Sequence, residues 1–164
     1  MPSPKTEFIE PIDAPNRRRL PLLLRRSWYG LNQAFRRRLA HLQLTPDQFT
    51  VLRTLLESDA RGVTQRELAR LMSSDPNTVA SLLERMEKNG YVERLPHERD
   101  RRAHRIKLLA KGKKTYEAAR VIAVTLQSEV LSGLPAAARE SFLENLSYVA
   151  DACRLAAEQG SGGN

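Results

Sequence analysis

The sequence predicts a mainly α-helical chain that carries a helix–turn–helix and one small β-hairpin. Three observations predict it. Apolar residues recur at helical spacing through most of the 164 residues. Two short helical patterns between 64 and 89 are separated only by Met72-Ser73-Ser74. Two alternating segments follow, Tyr91 to Leu95 and His104 to Leu108, joined by the loop PHERDRRA. The length suits one domain, or one domain with an extension, and 41% hydrophobic residues suffice for a core.

The first stretch, 1–16, contains Pro2, Pro4, Pro11 and Pro15 and no sustained periodicity, so it reads as a flexible arm. Phe8 and Ile9 are its candidates for docking on a neighbour. Arg17-Arg18-Arg19 is either a phosphate contact or a solvated basic face. Pro21 then opens a long helix in which Leu24, Trp28, Leu31, Phe35, Leu39 and Leu42 recur at spacings of four and three. Thr45-Pro46-Asp47-Gln48 is a second helix start, with a capping threonine, proline at the first position and glutamine three residues on. Phe49, Leu52, Leu55 and Leu56 supply its buried side. Gly62-Val63 leads onward, with Val63 placed for a short third strand beside the hairpin.

Thr64 and Glu67 have capping-box spacing, and Leu68, Leu71 and Met72 give the next short helix its apolar side. Either Ser74 or Asp75 can cap the helix after the turn, and Pro76 suits its first position. Val79, Leu82, Leu83 and Met86 fall at i, i+3, i+4 and i+7, one buried stripe. The opposite side carries Asn77, Ser81, Glu84 and Lys88, flanked by Thr78 and Arg85. Asn89-Gly90 stops the helix, Gly90 being free to take the left-handed conformation. A helix with small polar side chains at its N-terminal end fits a DNA major groove, where Asn, Ser and Thr reach base edges or phosphates. The basic hairpin loop, with Arg99, Arg101 and Arg102, then meets the backbone or the adjacent minor groove.

The segment TVASLLERMEKNGYVER, followed by Asp100-x-Arg102-x-x-Arg105-x-x-Leu108, resembles the winged helix-turn-helix of the MarR family of bacterial transcriptional regulators. The resemblance covers about residues 20 to 158. It implies an ion pair between Asp100 and Arg102 that holds the wing tip, and DNA contacts from the wing arginines. One position departs from the family pattern: Leu109-Ala110 stands where a capping threonine is usual after the wing strand. The resemblance also implies that a cleft between the first long helix and the DNA-binding lobe takes a small aromatic or phenolic effector. Trp28, Tyr29, Asn32 and Arg36 are the candidate lining residues, although a Trp and Leu stripe at this spacing equally fits core or dimer interface.

Beyond Leu109 a helical pattern runs from about 110 to 132, with Leu109, Tyr116, Ala123 and Val130 seven apart and Ala119 and Leu126 between them. Gly133 and Pro135 break it. A last helix from about Ala136 to Glu158 carries Phe142, Leu146, Val149, Cys153 and Ala156. These helices and the first one have more apolar stripe than the winged module can cover, and the resemblance implies that they interlock with a second copy. The expected division is an arm at 1–16, an N-terminal dimerisation helix at 17–44, the winged helix-turn-helix at 45–109, C-terminal dimerisation helices at 110–158 and a flexible tail at 159–164. A two-fold dimer would set its recognition helices roughly 34 to 36 Å apart on a palindromic operator.

Net charge is +8 and the sequence pI about 10.1, which suits a polyanionic partner. Apolar runs such as Leu22-Leu23-Leu24 fall far short of the roughly 20 residues a membrane helix needs. The start MPSPKTEF has no signal-peptide core, so a cytoplasmic protein is expected. No constellation for catalysis, metal or cofactor emerges: His97-Glu98 would need its second histidine at Arg101, and His41, His97 and His104 are scattered. The single cysteine excludes an intrachain disulfide, and its seam position predicts a buried, inert thiol rather than an oxidant sensor. The expected function is a ligand-modulated, sequence-specific DNA-binding regulator, a repressor by preference. It would use Thr64, Gln65, Asp75, Pro76, Asn77, Thr78, Ser81, Arg85, Arg99, Arg101 and Arg102 on DNA. The competing reading is a winged-helix module that coats DNA or binds protein.

Overall fold

A computed structural model describes residues 19–97 and 103–160. The N-terminal arm, Arg17, Arg18 and the wing-loop residues Arg99, Asp100, Arg101 and Arg102 lie outside the described residues, so the Asp100–Arg102 pair does too. Among the described residues the order is α1 (Leu20–Leu39), a 3-10 turn (Ala40–Leu42), α2 (Pro46–Glu57), β1 (Val63–Thr64), α3 (Gln65–Leu71), α4 (Pro76–Lys88), β2 (Val92–Pro96), β3 (His104–Leu108), α5 (Ala110–Leu131), a 3-10 turn (Ala136–Ala138) and α6 (Arg139–Gly160). The mainly α class with a small wing is therefore observed. Val63 does join the sheet, whose antiparallel order is β1-β3-β2. Val63 pairs with Ile106, and Arg94 pairs with the same Ile106 from the other side.

The chain divides into two compact units, residues 1–119 and 120–164. The core of the first lies between α2, α3, α4 and the sheet. Leu39, Val51, Leu52, Leu68, Val79, Leu83, Met86, Val92 and Ile106 are its fully buried large side chains. Phe49 joins three helices: Phe35 of α1 meets it edge-on with centroids 5.1 Å apart, and Tyr116 of α5 stacks on it at 5.3 Å. The Thr45 capping box is complete, with Thr45 N–H donating to Gln48 Oε1 at 3.0 Å and Gln48 N–H to Thr45 Oγ1 at 3.2 Å.

Several expectations need correction. Leu56, on the last turn of α2, stays exposed, and Val51 is buried instead. In α3 the buried pair is Leu68 and Ala69, whereas Leu71 is 44% exposed: the helix has only two turns and turns its Ala69 edge inward. The last helix starts at Arg139, after a 3-10 turn over the predicted start. The strand expected from Tyr91 begins at Val92, because the Tyr91 N–H is spent on Met86 O, closing α4.

The second unit holds the rest of α5 and all of α6. Val121, Val124, Val130, Phe142, Leu146, Tyr148 and Leu155 are large apolar residues left exposed there. Cys153, expected to be buried, is exposed, as is almost every residue around it on α6. Among the described residues no single helix is long and apolar enough to cross a membrane.

Candidate nucleic-acid interface

The outward face of α4 is built by its two ends. Asp75, not Ser74, is the N-cap: its Oδ1 accepts the N–H groups of Asn77 at 2.9 Å and Thr78 at 3.1 Å, and its Oδ2 accepts the Thr78 hydroxyl. The Thr78 hydroxyl bond, with the backbone bonds behind it, holds the Asp75 carboxyl below the usual aspartate range. At the other end Gly90 takes φ +72 as anticipated. Gly90 N–H reaches Glu87 O and Tyr91 N–H reaches Met86 O, both at 2.9 Å, a closed Schellman pair.

Burial of Val79, Leu82, Leu83 and Met86 turns Asn77, Ser81 and Arg85 to the outside, with Thr78 on the flank. Asp75 and Pro76 are exposed because they stand at the helix start, so all six predicted residues are exposed. They are not equivalent. Asp75 and Thr78 are committed to the cap, and Arg85 Nε folds back onto Ser81 O at 3.3 Å. The side chains of Asn77 and Ser81 have no hydrogen-bond partner among the described residues. Farther along the same face Glu84 pairs with Lys88 at 3.1 Å, which neutralises a carboxylate that would otherwise repel an anion.

Thr64 and Gln65, at the start of α3, are half-buried. Thr64 Oγ1 accepts Glu67 N–H at 3.1 Å, but the return bond of a capping box is not made. Thr64 is also a strand residue in register with Arg105, and the Glu67 carboxylate turns to Arg70 at 2.7 Å instead. The exposed neighbour Arg66 was not singled out from the sequence.

Three supports of this surface escaped sequence reasoning. Ser73 occupies the left-handed region at φ +50 and closes the turn, its N–H on Arg70 O and that of Ser74 on Ala69 O. Gly62 is at φ +86, and a Cβ there would lie 2.5 Å from Ile106 O, so only glycine lets β1 lie this close to β3. Beside it Asp59 pairs with Arg61 at 2.8 Å, and that bond above all lowers its carboxyl to about 2. Gly112 is the third: a Cβ would meet Tyr91 O at 2.3 Å. That close approach answers the missing threonine cap. Leu109 N–H donates to Tyr91 O at 3.0 Å, Leu109 O takes Lys113 N–H, and Lys111 Nζ donates to Asn89 O at 2.7 Å, which binds the start of α5 to the end of α4.

On α1, Trp28, Tyr29, Asn32 and Arg36 fall within about 100° of one another around the helix axis. Trp28 and Tyr29 are 61% and 66% exposed, and Arg36 is exposed as well. Asn32 is half-buried, and its Oδ1, shielded from solvent, has no hydrogen-bond partner among the described residues.

The comparisons with known proteins converge on one family. The MarR family model matches residues 44–104. The transcriptional regulator HosA of Escherichia coli is 32% identical over 127 residues, 74% of this chain and 93% of HosA. The HTH-type transcriptional regulator BilQ of Clostridium symbiosum is 37% identical over 73 residues, 44% of this chain; the match spans about half of BilQ, 51%. Among solved structures, the transcriptional repressor CouR bound to a 23-mer DNA duplex superposes with a TM-score of 0.73 at 28% identity, covering 80% of this chain and 92% of that one. The core between the helices, the three-stranded wing sheet and these matches together show that the chain belongs to the MarR family of DNA-binding transcriptional regulators.

Proposed function

We propose that this chain binds double-stranded DNA sequence-specifically as a homodimer, represses transcription from a palindromic operator in the cytoplasm, and is released by a small aromatic or phenolic effector. The observation that carries the DNA reading is the pair Asn77 and Ser81, exposed on a firmly capped helix with their polar groups uncommitted. In this reading they meet base edges, each good contact discriminating by about 1–3 kcal/mol. Pro76 and Thr78 seat the helix on the groove edge, Asp75 holds its first turn, and Arg85 lies along its flank. Thr64 and Gln65 meet phosphate, and Arg99, Arg101 and Arg102 serve the wing, with Asp100 paired to Arg102. Neutralising about 6 to 10 phosphates makes affinity fall roughly a thousandfold or more between 50 and 200 mM salt.

The exposed apolar residues of α1, α5 and α6 support the homodimer, since patches of this kind mark interfaces. The effector reading is supported by the shielded, unpartnered Asn32 Oδ1 among aromatic and cationic neighbours on α1. An effector acts only if it favours one spacing of the recognition helices over another.

A footprint on the duplex upstream of the chain's own gene tests the proposal. Two protected half-sites one helical turn apart are expected, and uniform coverage would instead mark a DNA-coating protein. The double substitution Asn77→Ala, Ser81→Ala is expected to cost operator affinity far more than affinity for random duplex in a gel shift. An equal loss on both would count against base reading.

A further inference from the structure

The recognition helix is joined to the wing by more than the turn at Gly90. In the sheet order β1-β3-β2, β2 is an edge strand among the described residues, with β3 on one side and no described strand on the other. An edge strand presents unpaired N–H groups. Here one of them is taken by the helix: Arg94 N–H donates to Glu87 Oε1 at 3.1 Å. The same carboxylate holds the side chain, with Arg94 Nε 3.5 Å from Glu87 Oε2. Arg94 Nη2 extends to Ala80 O at 3.4 Å. Ala80, Glu84 and Glu87 follow at i, i+4 and i+7, so Arg94 lies along one flank of α4. The Glu84 carboxyl, held below its usual value first by Lys88, also feels the Arg94 charge. One arginine and one glutamate thus fasten the middle and the end of α4 to the strand that leads to the wing loop.

On the reading that this chain binds DNA, we propose that Glu87 and Arg94 are positioning residues whose clamp fixes the recognition helix to the wing, so that helix and wing enter adjacent grooves together. Arg94 in this role acts on the protein's own helix and not on phosphate. Its Nη2 is turned to Ala80 O of α4, its Nε is shielded from solvent beside Glu87 without a hydrogen bond, and its side chain is only 28% exposed. The charge on Glu87 makes the idea separable from general electrostatics. Removing an acidic residue from a DNA-binding surface ordinarily tightens binding to every duplex. Loosening a clamp does the reverse on the operator alone.

The experiment compares wild type, Glu87→Ala and Arg94→Lys for binding to the duplex upstream of the chain's own gene and to a scrambled duplex at equal salt, with thermal midpoints as the folding control. Glu87→Ala is expected to bind the upstream duplex about tenfold more weakly while binding the scrambled duplex as well as wild type or better. Arg94→Lys keeps the charge and loses the fork, and is expected to weaken upstream binding in the same way. Glu87→Gln, which keeps an acceptor for the Arg94 N–H, recovers part of the loss. Unchanged or tighter upstream binding by folded Glu87→Ala, or wild-type behaviour of folded Arg94→Lys, would overturn the clamp. A wild-type protein with no preference between the duplexes would instead defeat the DNA reading itself.

Discussion

Helices α4 and α6 carry the same kind of pattern, an apolar stripe beside a polar face, yet among the described residues one stripe is covered and the other is left open. The stripe of α4 is buried, with Val79, Leu83 and Met86 shut off from solvent, and both of its ends are hydrogen-bonded. On α6 the stripe predicted from Phe142 and Leu146 stays exposed, and Leu155 is 48% exposed. The difference separates two jobs. A helix that must present polar groups at a fixed angle needs its packing supplied within the chain. A helix whose stripe no described residue covers is suited to receive its packing from a second copy.

The largest expected effect contrasts one substitution type in the two helices. Leu83→Ala removes a fully buried side chain and is expected to cost about 3 kcal/mol of folding stability in urea titration. Leu155→Ala is expected to leave the urea midpoint of the winged unit nearly unchanged and to weaken self-association, read by sedimentation equilibrium. Equal losses of stability from both would erase the distinction.

Gly62→Ala comes next. It forces a Cβ to 2.5 Å from Ile106 O at a positive φ, and about 2 kcal/mol of stability should be lost, with hydrogen exchange quickening first in β1 and β3. Retention of full protection there would mean that the strand contact is dispensable.

Acid acts through the carboxylates that hold the recognition face. Asp75 and Asp59 both have folded pKa values below their unfolded ones, so their contribution is present above about pH 4 and is lost as pH falls through the folded values, about 2 for Asp59. Asp75→Ala should therefore lower the thermal midpoint at pH 7 and flatten its decline below about pH 4 relative to wild type. A mutant whose acid profile parallels wild type would remove Asp75 from the cap.

The smallest effect has the opposite sign. Ser73→Gly relieves a left-handed serine at φ +50 and should raise stability by about 0.5–1 kcal/mol without altering DNA affinity. A loss of stability would point to a role for the serine side chain in the turn.

What the sequence made legible was local and periodic. The i, i+3, i+4, i+7 stripe from Val79 to Met86 placed the buried face of α4 correctly, and Thr45 with Gln48 and Asn89 with Gly90 marked ends that fold as read. The errors arose where another partner, on the same helix or on a distant element, takes over a group. Glu67 was assigned to a capping box but pairs with Arg70, and Thr64 is bound up in a strand whose partner lies near residue 105. Gly112 gives no signal of its own in the sequence, because the reason for it, the carbonyl of Tyr91, is on another element. The turn at Ser73 carried no glycine to announce a positive φ. For the interface, the outward residues of α4 were readable from helical geometry alone. The division between committed side chains, Asp75 and Thr78, and free ones, Asn77 and Ser81, required the hydrogen bonds.

The central claim, a chain-built reading helix delivered to DNA in pairs, is tested most directly by a fluorescence-anisotropy titration of a labelled duplex from upstream of the chain's own gene. A scrambled duplex at the same salt serves as competitor. Saturation at two chains per duplex and retention of the upstream duplex against a large excess of the scrambled one are expected. Saturation at one chain per duplex, or displacement by an equal amount of scrambled duplex, would contradict it.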